Sequence, residues 1–180
     1  MSEFVLTSSN IKDFSDFGLS EPLIRAIKKE GYTIPTPIQK RAIPILLEGR
    51  DLIGCAQTGT GETAAFALPI LQQLFSNPLK INPRSTRVLV LSPTRELANQ
   101  IHKDFGAYGR YISFRRAAIY GGVNLHGQIK TMHRGVEVLV ATPGRLLDLM
   151  NQGRVDLSKV RTIVFDEADR MLDMGFLPDI

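Results

Sequence analysis

The chain has 180 residues, with 43% hydrophobic and 22% charged residues and a formal net charge of +4. That is enough chain to bury a real core and too ordinary a composition for a disordered or collagen-like protein. A single cysteine, Cys55, excludes an internal disulfide and fits a reducing compartment. The N-terminus carries no basic segment followed by a long apolar one, and no apolar run approaches the roughly 20 residues of a membrane span, so a cytoplasmic, non-membrane, monomeric protein is expected.

Residues Met1 to Lys12 read as a polar, loose tail; Phe14, Phe17 and Leu19 then bring apolar groups onto the domain. Ser20 is placed to cap a helix that starts with Glu21 and Pro22, buries Leu23, Ile24 and Ile27, and stops at Gly31. Thr36 and Pro37 open a second helix, ending near Gly49. The apolar run Leu52 to Ala56 reads as a buried strand, with Cys55 in the core.

The segment Gln57 to Gly61 is a Gly/Thr-rich loop, followed by a helix from about Thr63 to Phe75. Strand, glycine loop and helix start together make a phosphate-binding loop, whose backbone N–H groups turn toward phosphate oxygens. Thr63 stands where such loops place a hydroxyl on magnesium. Glu62 stands where they place a lysine. At about 4 Å and an effective dielectric near 20, each unit-charge interaction is worth up to about 4 kcal/mol, so this carboxylate opposes triphosphate. Taken alone, the stretch is equally a Gly/Thr turn without a ligand.

Downstream, strand patterns at Arg87–Leu91, Arg115–Ile119, Val136–Ala141 and Arg161–Phe165 alternate with helical patterns at Thr94–Gly109, Asn124–Met132, Pro143–Met150 and from Ala168 onward. Such βα alternation predicts an α/β fold, an open parallel sheet sandwiched by helices. Ligands of such sheets sit beyond the carboxyl ends of the strands. There the sequence places Ser92–Glu96, Gly121–Gly122, Thr142–Arg145 and Asp166–Glu167. An acid at a strand end beside a phosphate loop suits magnesium, and a second carboxylate could polarise water. The same acids are also what a helix N-terminus favours. Arg95 and Arg145 at helix starts fit either tolerated charges or contacts to a nucleic-acid backbone. His102, His126 and His133 lack ligand spacing for a metal.

Read together, these segments resemble the DEAD-box RNA helicase family. Asp166-Glu167-Ala168-Asp169 spells its name motif. AQTGTGET, Ala56 to Thr63, resembles motif I apart from Glu62. GYTIPTPIQ, Gly31 to Gln39, resembles the Q motif, with Phe14 at the upstream aromatic. PTRELA, Pro93 to Ala98, resembles motif Ia, Gly121-Gly122 the GG motif, and TPGR, Thr142 to Arg145, motif Ib. They stand in family order, and DEADRMLDMGF is most similar to the bacterial RhlE-type branch.

The resemblance implies an ATP-binding, RecA-like P-loop domain that couples ATP and Mg²⁺ to RNA clamping and local unwinding. It implies a tail at residues 1–11, a Q-motif region at 12–40 and the RecA-like domain at 41–180, with a second RecA-like domain absent. By position, Gln39 and Phe14 would read adenine. Ala56, Gln57, Thr58, Gly59, Thr60, Gly61, Glu62 and Thr63 would surround the phosphates. Thr63 and Asp166 would hold Mg²⁺, Glu167 would activate water, and Asp169 would reach the other domain. Pro93, Thr94, Arg95, Gly121, Gly122, Thr142, Gly144 and Arg145 would grip the RNA backbone. Two departures stand out: Glu62, which fits an introduced or recent change among intact motifs, and a chain that stops at Ile180, before the family's Ser-Ala-Thr motif. Both lead to an expectation of weak ATP binding, negligible hydrolysis, and an exposed sheet edge; the alternative is a catalytically inactive nucleotide- or RNA-binding module.

Overall fold

The computed structural model describes residues 11–55, 59 and 61–180. They group into two compact units. The first runs up to Pro78 and includes Asp104–Ser113; the second comprises Leu79–Lys103 and Phe114–Ile180.

The first unit is helical. A single 3-10 turn, Phe14–Phe17, is started by Asp13, whose carboxylate accepts from Ser15 N at 2.7 Å, and is stopped by Gly18 in the left-handed region. The turn drives Phe14 and Phe17 into the core beside Leu19. Ile11 is also buried, so the expected loose tail does not include it; residues 1–10 lie outside the described residues. Helix α1 spans Glu21–Lys29, with Pro22 in its first turn and Leu23, Ile24, Ala26 and Ile27 on its buried face. Helix α2 spans Pro37–Leu47 behind a reciprocal Thr36–Gln39 capping box. Helix α3 spans Glu62–Ser76 and packs on α2 and α1.

The expected strand at Leu52–Ala56 is not formed over its described residues, 52–55. Leu52 and Cys55 are exposed, and Ile53 is 96% exposed. The physical reason lies in composition and pairing. The run holds one β-branched residue and an interior glycine, and a strand is stable only with a ladder partner.

The second unit is built on a parallel sheet. Strands β1 (Thr86–Leu91), β2 (Arg116–Ile119), β3 (Val136–Ala141) and β4 (Thr162–Phe165) lie in the order β2-β3-β1-β4. The register pairs Val88 with Val138 and Thr162, and Ala117 with Leu139. Helices α4 (Arg95–Tyr108, whose last turn belongs to the first unit), α5 (Leu125–Met132), α6 (Pro143–Asn151) and α7 (Ala168–Asp173) connect and follow the strands. One face of the sheet presents Leu89, Leu91, Ile119 and Leu139 to Met132, Leu146, Leu149 and Met171 from α5, α6 and α7. Val88, Val90, Val138 and Val140 point the other way and are also buried, which explains the near-continuous apolar runs of β1 and β3. Among the described residues, strand β4 forms one edge of the sheet, and its Ile163 and Phe165 are exposed.

Candidate nucleotide and nucleic-acid site

In the first unit the phosphate-loop segment ends at α3. Gly59 and Gly61 have φ of 84° and 88°, a region that a side chain makes costly. Gly61 is the N-cap of α3, and its carbonyl accepts from Ala65 N at 3.2 Å, closing the first helical turn. Glu62 and Thr63 are the first two residues of α3, where backbone N–H groups have no intrahelical acceptor. A carboxylate there favours the helix by about 0.3–1 kcal/mol. The same charge repels an anionic ligand. Ala56, Gln57, Thr58 and Thr60 lie outside the described residues.

Gln39 is fully buried. Its Oε1 accepts from Thr36 N at 2.9 Å, and its Nε2 donates to the Gly61 carbonyl at 2.9 Å. A Cβ on Gly61 would collide with that amide. The residue assigned to adenine therefore ties the start of α2 to the end of the phosphate loop, through both ends of its side chain. Phe14 is 3% exposed and meets Phe17 and Tyr32 edge-on, with ring centroids 5.8 and 5.9 Å apart. Tyr32 in turn meets Tyr108, and the two hydroxyls lie 2.9 Å apart. In this arrangement the Gln39 amide is committed inside the fold and the Phe14 ring face is covered.

In the second unit the strand order sets the loops side by side. Three backbone bonds carry the ladder one residue past the strands: Ser92 N to Ala141 O at 3.0 Å, Thr142 N to Ile119 O at 3.0 Å, and Asp166 N to Leu91 O at 2.9 Å. The PTRELA, GG, TPGR and DEAD segments thus start from neighbouring anchors at one end of the sheet. Pro93 is buried, and the Thr94 hydroxyl accepts from Leu97 N at 3.3 Å, opening α4. Arg95 is exposed, pairs with Glu96, and passes so close to Gly122 that a Cβ there would stand 3.0 Å from Nη1. Gly122 has φ of 78°, so the backbone favours glycine, while a Cβ would only nudge the flexible end of Arg95.

Arg145, at the start of α6, approaches Asp148 Oδ2 at 3.7 Å and Gln128 Oε1 at 3.5 Å. Gln128 is buried and donates from Nε2 to the Tyr120 carbonyl at 2.9 Å. It joins the loop after β2 to the arginine after β3. Sequence reading passed over Gln128; the available signal was an amide on the inward face of a helix that Asn124 caps. Gly144 is exposed, with Asp179 Oδ2 3.7 Å from where its Cβ would stand.

At the end of β4, Glu167 has φ 50° and ψ 50°, an unusual conformation for a residue with a side chain. Its Oε2 accepts from Arg170 Nη1 at 3.0 Å. Asp169 Oδ1 accepts from Arg170 N at 2.8 Å, and Asp169 itself is exposed. Strain of this kind costs on the order of 1–3 kcal/mol and gathers where function constrains the backbone. The second unit thus unites the sequence-assigned RNA-binding and catalytic residues, while the first holds the described nucleotide-loop residues, Gln39 and Phe14.

The sequence profile of the DEAD/DEAH box helicase family matches residues 36–180. The chain belongs to this family. It is 44% identical over 170 residues to "DEAD-box ATP-dependent RNA helicase 20" of Arabidopsis thaliana, covering 94% of this chain and 34% of that protein. It is 47% identical over 167 residues to "ATP-dependent RNA helicase CshA" of Limosilactobacillus reuteri, covering 93% and 33%. It is 46% identical over 170 residues to "ATP-dependent RNA helicase DBP2" of Eremothecium gossypii, covering 94% and 30%. The chain therefore spans about a third of the length of these curated relatives, and their near-equal identities single out no branch of the family. The sheet and its helices are those of the α/β, RecA-like helicase domain expected from the family. No described helix is long and apolar enough to cross a membrane.

Proposed function

We propose that this chain is the nucleotide- and RNA-binding first part of an ATP-dependent RNA helicase, and that Glu62 leaves it a binder without turnover. The observation that carries the reading is the set of strand ends in the second unit, where PTRELA, GG, TPGR and DEAD start from adjacent anchors. Arg95, Arg145, Thr94, Thr142 and the backbone at Pro93, Gly121, Gly122 and Gly144 would contact RNA phosphates and sugars. Such contacts carry little sequence information and weaken with salt. Asp166 and Thr63 would hold Mg²⁺, largely through water, and Glu167 would orient the attacking water. The left-handed glycines and the open helix start at Gly59–Thr63 fit phosphate oxygens, while Glu62 does not fit their charge. Asp169 would reach a second RecA-like domain in the whole protein, which would act as a cytoplasmic monomer. Clamping on RNA and local unwinding belong to that whole protein.

Gln39 and Phe14 fit the adenine role only if they exchange internal partners for the base. An amide can serve adenine's donor and acceptor together, so nucleotide binding would compete with the Gln39–Gly61 bond.

The test is nucleotide affinity. Fluorescent ADP and ATP, with Mg²⁺, are titrated into this chain and its Glu62→Lys variant. The variant is expected to bind at least about tenfold more tightly, a difference of about 1.4 kcal/mol. Equal affinities in the two proteins would refute the charge argument.

A further inference from the structure

We infer that the second unit carries another anion site, at the pole of the sheet opposite the strand-end loops, which takes a compact cluster of phosphates. A cavity of about 360 Å³ opens at the amino ends of β1 and β4. Four cations line it: Lys80, Arg87, Lys159 and Arg161. Hydrogen-bonding groups complete the lining, including Asn82 and Ser158, and none of the lining residues is acidic. The volume falls within the range of small-ligand pockets, about 300–1,000 Å³.

The cations are held there by the fold. Arg161 N donates to the Arg87 carbonyl at 2.9 Å, which fixes the two arginine-bearing strand starts side by side. Burial, then the neighbouring Arg161, push the Arg87 guanidinium below the usual arginine value, and Glu137 opposes this. Like charges brought together are stabilised by an anion between them. Arginines suit phosphate because the planar fork can bond two oxygens at once. Asp156, beside the cavity, feels the charge of Lys159 and is held by the lining serines. It accepts from Ser158 N at 2.8 Å, from Ser158 Oγ at 3.0 Å and from Ser85 Oγ at 3.3 Å. Bound this way, it shapes the rim and draws Ser158 in.

The strand-end arginines provide a contrast. Arg95 and Arg145 each stand beside a carboxylate, Glu96 and Asp148. The opposite pole gathers four cations, and the carboxylates that act on two of them, Glu137 on Arg87 and Asp156 on Lys159, lie outside the lining. Closely spaced phosphates could come from a free oligophosphate or from the backbone of an RNA strand that continues past the strand-end loops. The chemistry is shared, and the test separates the sources.

Pyrophosphate, without metal, is titrated into the ¹⁵N-labelled chain and into the Lys80→Ala/Lys159→Ala double variant. Both lysines are exposed, so the variant should keep the fold. Saturable amide shifts are expected at Ser85–Val88 and Ser158–Arg161, with affinity at least tenfold weaker in the variant. A short single-stranded RNA is titrated in parallel. If RNA affinity falls with that of pyrophosphate, the site lies on the RNA path. If pyrophosphate affinity alone falls, the site takes a free oligophosphate. Shifts confined to Gly59–Thr63, or the same pyrophosphate affinity in both proteins, would overturn the inference. The amide map keeps this outcome apart from failure of the nucleotide reading, which concerns only the phosphate loop.

Discussion

Two apolar stretches of this chain look alike on paper and end differently. Val136–Ala141 (VEVLVA) becomes β3, central in the sheet, paired with β1 on one side and β2 on the other. Leu52–Cys55 (LIGC) is just as apolar and forms no strand, and Ile53 is almost fully exposed. The difference lies in their partners. β3 alternates valine and leucine onto two buried faces and bonds to a ladder on both sides. Leu52–Cys55 has neither, and Gly54 adds backbone freedom that pairing would have to remove. A strand is a property of a pair, so an apolar run is only a candidate for one.

The largest effect should come from testing that contrast directly. Leu139→Ala, in β3, removes a fully buried side chain and should cost about 2–5 kcal/mol. Ile53→Ala should stay within about 0.5 kcal/mol of the parent, as surface substitutions do. Urea unfolding of both variants measures the two costs. An Ile53→Ala cost close to that of Leu139→Ala would mean that the 52–55 run is buried in solution, and the contrast would collapse.

The next effect probes how the first unit holds its loop in the absence of a ladder. Gln39→Ala removes the partner of Thr36 N and one of the two donors to the Gly61 carbonyl, which keeps Ala65 N. Losing such bonds costs about 0.5–1.5 kcal/mol each. The conservative Gln39→Glu keeps the acceptor for Thr36 N and loses the donor to Gly61. Ionised, it also buries a carboxylate against the Gly61 carbonyl, so it should unfold no later than the alanine variant. If both variants unfold like the parent, the Gln39 bridge contributes nothing, and the loop is ordered by other means.

A smaller effect belongs to the strand-end face. Arg145→Ala should weaken RNA binding about equally across sequences. It should also flatten the dependence of log affinity on log salt by about 0.7, the single-strand value per phosphate contact. Filter binding of two unrelated RNAs over a salt series reads both quantities. A loss confined to one RNA would point instead to base readout. Gln128→Ala should reproduce part of the loss without touching RNA, because Gln128 joins Arg145 to the Tyr120 carbonyl.

How far the sequence could be read follows the same division. Four of the five expected strands and all the main helices stand where periodicity and caps put them, from Ser20 before α1 to Thr36 before α2. Those signals are local or are repeated along a run. What escaped reading depends on distant residues. Nothing local marks Gln39 as bonded to Gly61, Gln128 as the link to Arg145, or Arg95 as the neighbour of Gly122. The strand at 52–55 failed for the same reason in reverse, since its local pattern promised a partner. The 3-10 turn at Phe14–Phe17 has no sequence signal of its own, because a four-residue element carries no period.

The smallest effect lies at β2, the edge that reads as the weaker strand and nonetheless forms. Arg116, its first residue, donates from Nε to the His102 carbonyl at 2.9 Å, so a side chain reinforces the edge. Burial first, and Arg116 second, hold the His102 imidazole below the usual histidine value. The folded chain therefore carries fewer protons at this site than the unfolded chain. Its contribution to stability is fully present above the unfolded value, near 6.5, and is lost as pH falls through it toward the folded value. His102→Gln removes that titration while leaving the backbone carbonyl that Arg116 uses. Unfolding midpoints of parent and variant, compared from about pH 7.5 to about pH 5.5 across the ordinary histidine range, should converge as the pH drops, because only the parent loses this contribution. Parallel curves would mean that His102 is solvated in the folded chain, and that Arg116 supports the edge without the buried helix face beside it.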